Sequence, residues 1–340
     1  MLTVGTPLMW TLFAAFVLVA LLIDFFTLNR QGARKVSMRD AAVWSFVWVA
    51  VSFLFVAWLW WYLGGSSGDE AARATANLKA LEFVTGYLVE KALAVDNIFV
   101  FLLVFSYFAV PGEYQKRVLM IGIIGALALR AVMILIGAWL IVRFHWVLYV
   151  FGAFLVFTGI KMWWAAGQEP DLESNPALKW IRRHVRMAPG FDGEKFFTVV
   201  NGTKMATPLF VVIILIGIVD IVFAVDSIPA IFAITTDPFI VLTSNVFAIL
   251  GLRAMYFLLA GVHERFHLLS YGLAIVLILI GAKMLLVDVY KIPVGWSLMA
   301  TFSVLTVTML LSLYIPARGY TGSAYPFAAK RSESRDDAKR

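Results

Sequence analysis

Two acidic stretches hold the residues of this sequence that could do chemistry. The first, Glu90–Asn97, reads EKALAVDN, and the second, Asp220–Ser227, reads DIVFAVDS. Both have the same frame, in which an acid is followed after five residues by Asp and then by a short polar residue. The second stretch lies inside an apolar run from 206 to 234 that is long enough to cross a bilayer.

Carboxylates at that depth predict a functional site, because an acid at the bilayer centre costs about 2.5–3.5 kcal/mol even on the lenient insertion scale. On a straight helix Asn97 shares the face of Glu90, while Asp96 lies about 120° around the helix. The second stretch repeats this arrangement. The predicted ligands of a metal ion are Glu90, Asp96, Asn97, Asp220, Asp226 and Ser227.

A proline adds a backbone ligand to the second stretch. The ring of Pro229 removes a donor and clashes with the carbonyl of Val225, so we predict a helix break that frees this carbonyl beside Asp226. Such hard oxygen ligands suit Mg²⁺, Ca²⁺ or Mn²⁺. The chain has no cysteine, and its four histidines fall in loops or at span ends. We therefore expect a divalent cation as substrate and no organic cofactor.

Arginines at similar depth offer a second interpretation. Arg130 and Arg253 place two positive charges inside predicted spans, and the acids could serve only to neutralise them in buried pairs. Four acids against two arginines leave two negative charges, which a divalent cation or two protons would cancel. Lys91 complicates this charge balance, because it is a further positive charge next to Glu90 in the sequence. Because an empty site favours proton binding, metal–proton exchange is the mechanistic hypothesis.

The composition predicts an all-α polytopic membrane protein, since 62% of the 340 residues are hydrophobic and 14% are charged. We predict about nine membrane-spanning helices. They lie near residues 6–28, 41–63, 83–108, 118–142, 146–165, 206–234, 239–261, 268–287 and 294–316. With the N-terminus outside and the C-terminus in the cytoplasm, most of the 28 Lys and Arg residues lie in cytoplasmic segments. The net charge of +7 therefore indicates topology and not nucleic-acid binding.

An internal repeat organises these spans. The order of acid pair, mid-membrane arginine and Gly-x-Lys-Met occurs in spans 3–5 and again in spans 6–8. Three is an odd number, so the second copy enters the membrane from the opposite face, which predicts a 3+3 inverted repeat with its site near the midplane. The predicted segments are two helices in 1–80, the first repeat in 81–165, a cytoplasmic loop in 166–205, the inverted repeat in 206–290, a last helix in 291–316 and a disordered tail in 317–340.

The long cytoplasmic loop contains two local patterns. Residues 176–187 form a basic amphipathic segment that could lie on the inner leaflet or simply connect the repeats. Asn201-Gly202 between two β-prone runs predicts a tight hairpin.

The two acidic stretches resemble the signature stretches of the TerC/Alx family, and the similarity continues through 236–256 and back to the start of the chain. The resemblance is nearest to the Alx type. It implies a bacterial inner-membrane protein tied to manganese export, with an association to tellurite resistance. We expect no enzymatic activity. The family's acidic positions fall on Glu90, Asp96, Asp220 and Asp226. A further Glu that is common in the family is Gly217 here, which could weaken export, alter metal preference or leave transport to the other acids.

Two other classes of protein share some of these features. A small-molecule or amino-acid exporter can have the same inverted architecture, but it explains two acids per repeat less well. An intramembrane aspartyl protease also needs two aspartates on facing helices. Those proteases carry Gly-x-Gly-Asp, which Gly217–Asp220 does not match. Which divalent metal is carried, which ion is coupled and how many copies assemble are left open by the sequence.

Overall fold

The computed structural model of the protein describes residues 3–31, 38–144, 146–165, 176–200, 202–260, 268–290 and 292–315. Within the helices, the side chains of 24–31, Asp96, Phe99, Pro176, Ala177, Arg182, Asp226 and Val294 lie outside this description. The predicted disordered tail and Asn201 of the predicted hairpin turn also lie outside the described residues.

Eleven helices and one hairpin make up the described chain. The helices are α1 Pro7–Gln31, α2 Met38–Tyr62, α3 Glu70–Tyr107, α4 Gly112–Arg143, α5 Val147–Ala165, α6 Pro176–His184, α7 Pro208–Phe232, α8 Pro238–Leu250, α9 Leu252–Leu259, α10 Leu269–Leu285 and α11 Val294–Tyr314. The strands are β1 Phe197–Val200 and β2 Thr203–Ala206, paired antiparallel.

Each predicted span has a helix in the structure, and the all-α class is confirmed. Among the described residues, five helices are long and apolar enough to cross a membrane, or six if α8 and α9 form one bent span. Shorter apolar helices cover 7–23 and Leu269–Leu285. The full number of nine spans stays a prediction.

The helix starts follow from local sequence. Asp69 caps α3 by accepting a hydrogen bond from the Ala71 amide at 3.0 Å. Asp237 caps α8 in the same way through the Phe239 amide, and Pro238 occupies the first turn, where a missing N–H costs nothing.

The helix break predicted at Pro229 is wrong, whereas the Val225 carbonyl as a ligand stays a prediction. Helix α7 continues through Pro229 and ends at Phe232, because the proline lies in the last turn and disrupts little of the helix. The break lies instead at Gly251, where α8 and α9 meet at an angle of 43°. A Cβ at Gly251 would lie 2.9 Å from the Lys91 ammonium and 3.1 Å from the Trp48 side chain, so this close approach favours glycine.

The loop patterns are confirmed as local structure. In the hairpin Val200 pairs with Thr203, and Gly202 has a positive φ of 74°. On α6 the apolar residues Leu178 and Ile181 are buried in the protein core, while Trp180 is exposed. The apolar face of this helix therefore packs largely on the protein itself. Whether α6 also touches the inner leaflet stays a prediction.

Glycines allow the tightest helix contact, between α5 and α10. A Cβ added to Gly281 would lie 2.7 Å from the carbonyl oxygen of Gly152, and one added to Gly159 would lie 2.8 Å from that of Ala274. Any side chain at either glycine would push the helix backbones apart. Elsewhere α3 packs on α8, and α4 packs on α7.

Candidate metal-ion site

The centre of the bundle contains a buried ion pair. Nη1 of Arg130 on α4 contacts Oε1 of Glu90 on α3, and both side chains are almost completely buried. The same Nη1 donates a hydrogen bond of 3.1 Å to Oδ1 of Asn245 on α8. Arg130 therefore joins three helices. The interpretation that the acids neutralise buried arginines therefore holds for Glu90, which has Arg130 as its partner.

Asp220 occupies a different position. It lies on α7, is buried at 7% exposure and lines a small pocket with Arg253 and Tyr256. The other residues lining the pocket are Ile98, Phe101, Leu119, Gly122, Ile123, Ala126, Ile216 and Leu252. The pocket has room for about one water-sized particle, which is also the scale of a dehydrated cation. Of the two described acids, Asp220 is thus the one that a small ion can reach.

Arg130 links the two acidic stretches electrostatically. The guanidinium of Arg130 attracts Asp220 as well as Glu90, so one cation interacts with one acid from each acidic stretch. Arg253 lines the Asp220 pocket from the α9 side.

The remaining predicted ligands are placed unequally. Asn97 on α3 and Ser227 on α7 are both buried, at 4% and 2% exposure, on helices that pack together. The hydroxyl of Ser227 has no hydrogen-bond partner among the described residues. Side chains of Asp96 and Asp226 lie outside the described residues, so their part in the site stays a prediction. In the part of the chain that is described, no three acidic or histidine side chains group closely enough to hold a metal ion.

Lys91 points away from the acids. Its ammonium donates a hydrogen bond of 3.1 Å to the carbonyl of Ala248, in the last turn of α8. Carbonyls at a helix end lack partners within the helix and carry the negative end of the dipole, which a cation stabilises. Lys91 therefore stabilises the end of α8 at the α8–α9 break. Its positive charge does not neutralise the acids of the candidate site.

Asn245 is not among the site residues predicted from the sequence. It is fully buried, and its amide nitrogen donates to the Val241 carbonyl at 3.1 Å while its oxygen accepts from Arg130. The available signal was three consecutive polar residues, 243–245, in an otherwise apolar helix.

A second polar group, here called the outer cluster, comprises Lys79, Glu82, Thr235 and Asp237. The ammonium of Lys79 lies 2.9 Å from Oε2 of Glu82 and 3.6 Å from Oδ2 of Asp237. Thr235 donates a hydrogen bond of 2.6 Å to Oε2 of Glu82. The cluster ties the start of α3 to the corner between α7 and α8.

The other end of the bundle is marked by the hairpin region. Arg117, near the start of α4, pairs with Glu194 at 3.3 Å, which places this helix end beside the loop that precedes β1. Helix α3 ends close in sequence to that point, at Tyr107, about 42 Å along the helix from Lys79. The outer cluster and the hairpin therefore lie at opposite ends of α3, with Glu90 between them.

Comparison with known proteins identifies the family. The profile of the family described as "Integral membrane protein TerC family" matches residues 75–319. The chain belongs to the TerC family. The resemblance of the acidic stretches is thereby confirmed, and the match spans α3 to α11, including every described residue of the candidate site.

Similar TerC proteins cover almost the whole chain. One from Escherichia coli (strain K12), named "Putative membrane-bound redox modulator Alx", is 55% identical over 93% of this chain and 97% of its own length. A protein of the same name from Salmonella typhi is 54% identical over 92% of this chain and 96% of its own length. The "Uncharacterized membrane protein STKORF319" of Myxococcus xanthus is 46% identical over 92% of this chain and 93% of its own length. No solved structure matches the chain.

Proposed function

We propose that this TerC protein is a secondary transporter that exports a divalent cation, with manganese as the first candidate, from the cytoplasm across the bacterial inner membrane. The observation that carries the proposal is the pocket at Asp220, whose buried carboxylate is reachable by a small ion and is linked through Arg130 to Glu90 on the other acidic helix. Carboxylate, amide and hydroxyl oxygens are the ligands that Mn²⁺, Mg²⁺ and Ca²⁺ prefer.

The two described acids have different parts in this proposal. Asp220 is the ligand that first meets the ion, because it lines the pocket. Glu90 holds Arg130 in place, and Arg130 lowers the cost of an empty, negatively charged site. Asn97, Ser227, Asp96 and Asp226 complete the proposed ligand set, with the unpartnered hydroxyl of Ser227 supporting a ligand at that position.

The proposed 3+3 inverted repeat is supported by reciprocal packing. Gly159 on α5 and Gly281 on α10 begin the same Gly-x-Lys-Met motif, so they are equivalent positions of the two repeats. Gly281 approaches Gly152, and Gly159 approaches Ala274. A two-fold axis that relates α5 to α10 would convert each of these contacts into the other. The pairs α3–α8 and α4–α7 exchange in the same way. Such an axis favours alternating access, in which one repeat rocks against the other around a central site.

Exchange with protons is the proposed coupling. Carboxylates buried away from water bind protons when a dication leaves, which keeps the empty site close to neutral. The name of several relatives points instead to a redox role. A thiol-based redox function has no residues to act through in this chain, which contains no cysteine, so we favour transport with no enzymatic step.

The test is transport in proteoliposomes that contain the full chain. Manganese, magnesium, calcium and zinc ions are offered one at a time, with and without a transmembrane pH gradient. We expect uphill movement of Mn²⁺ that ceases when the gradient is dissipated. Absence of flux for every divalent cation would reject the proposal, and Mn²⁺ flux that ignores the gradient would reject proton coupling alone.

A further inference from the structure

The two ends of the helix bundle differ, because one end contains a pocket and the other is closed by the outer cluster. The pocket at Asp220 is lined by residues from the half of α3 and α4 that lies nearest the hairpin, such as Phe101 and Leu119. On the other side of Glu90, the outer cluster closes the contact between α3 and the α7–α8 corner. The charge distribution predicts that the hairpin end is cytoplasmic, so the closed end faces outward.

The outer cluster is built as a closed contact between separate parts of the fold. Glu82 and Asp237 are buried, and Lys79 bridges their carboxylates. Asp237 also accepts hydrogen bonds from the Thr3 hydroxyl at 2.8 Å and the Val4 amide at 2.9 Å. The segment before α1 is thus fastened to the same carboxylate.

Electrostatic attraction within the cluster favours closure. The ammonium of Lys79 lies within ion-pair distance of both Glu82 and Asp237. Lys283 of α10 adds a longer-range attraction to Glu82. A buried group of charges is stable only when it is balanced and hydrogen-bonded, and it becomes costly when a partner is lost. Parting α3 from the α7–α8 corner would break this balance unless water entered between them.

The interface between the cluster and Glu90 is tightly packed. Gly86 lies midway on α3, and a Cβ there would be 2.4 Å from Cδ1 of Ile231 and 3.0 Å from Oγ of Ser244. An ion that leaves the central site outward must therefore open this contact first. The distance from Glu82 to Glu90 along α3 is about 12 Å.

We propose that the outer cluster is the extracytoplasmic gate of the transporter, with Lys79, Glu82 and Asp237 as the charged residues that must separate before the cation is released. The inference rests on the proposed transport function and assigns a role to residues outside the central site. In the state described here the outer gate is closed, and the Asp220 pocket lies on the cytoplasmic side of the central site.

A disulfide across the closed gate tests this directly, because the chain has no cysteine of its own. The Cβ of Gly86 would lie 3.4 Å from that of Ser244, close to the separation of about 3.8 Å in disulfides. We expect the double variant Gly86→Cys/Ser244→Cys to transport Mn²⁺ in proteoliposomes when reduced, to stop when oxidised with diamide and to recover with dithiothreitol. Each single variant is the control and should not respond to oxidation.

The outcomes separate the gate from the transport function. Undiminished flux in the fully cross-linked double variant would overturn the gate while leaving transport intact. Absence of Mn²⁺ flux from the unaltered chain would instead reject the proposed function.

A second measurement needs no transport and does not depend on the tolerance of position 86. The single variant Ser244→Cys carries a thiol at a fully buried position between the gate and the central site. A membrane-impermeant maleimide added outside right-side-out vesicles should label it slowly. Adding Glu82→Gln should speed labelling about tenfold or more, since tenfold needs only about 1.4 kcal/mol of destabilisation of the closed gate. The exposed Glu70→Gln on the same helix is the matched control, and equal rates in the two backgrounds would overturn the gate.

Discussion

Arg130 on α4 pairs with Glu90 on α3 and also attracts Asp220 on α7, so one buried cation interacts with the first acids of both acidic stretches. This relationship distinguishes the two carboxylates. Glu90 is engaged by the guanidinium, whereas Asp220 lines the pocket that an ion can enter. The two acids that the sequence treats as equivalent therefore have different expected responses to mutation.

Breaking the central ion pair is predicted to destabilise the protein. Glu90→Gln or Arg130→Gln leaves the other charge buried without its partner, which typically costs about 3–5 kcal/mol. The double variant Glu90→Gln/Arg130→Gln removes both charges and should regain part of that loss. Unfolding in detergent, arranged as a double-mutant cycle, measures the coupling. Additive single effects would show that the pair does not act as described.

Lys91 is predicted to stabilise the break between α8 and α9. Lys91→Met keeps the length of the side chain but removes the hydrogen bond to the Ala248 carbonyl, and a bond from a charged donor contributes about 1.5–3 kcal/mol. We expect lower thermal stability and faster amide hydrogen exchange near Gly251. Lys161→Met, at an exposed position on α5, is the control. Equal stability of the two variants would contradict the assigned role.

Gly217→Glu is predicted to leave Mn²⁺ transport unchanged. Gly217 is exposed on α7, a Cβ there meets no atom within 4 Å, and it does not line the pocket of Asp220. We therefore expect a carboxylate at this position to lie outside the pocket of Asp220. The KM for Mn²⁺ in proteoliposomes should match that of the unaltered chain. A clear fall in KM, absent from Gly217→Gln, would show that the position can supply a ligand.

The positions of the helices could be predicted from the sequence, because long apolar runs bounded by charges must form helices in a bilayer. The burial of Glu90 and Asp220 also followed, since both lie in the middle of such runs. Both are buried in the structure.

Pro229 is tolerated because α7 ends soon after it. Two other features depended on contacts that no local pattern contains. The break at Gly251 lies where Lys91 and Trp48 approach the backbone from other helices. Asn245 became part of the site only through Arg130, which is far away in sequence. Such choices are made by tertiary packing, which helix propensity and hydropathy do not encode.

The most direct test of the central claim is Mn²⁺ flux through proteoliposomes that contain Asp220→Asn. This substitution keeps the shape of the side chain and removes the charge from the carboxylate that lines the pocket. Asp192→Asn, which changes an acid in the loop before the hairpin, is the matched control. We expect Asp220→Asn to abolish pH-gradient-driven Mn²⁺ transport, while the control transports like the unaltered chain. Equal flux in all three proteins would contradict it.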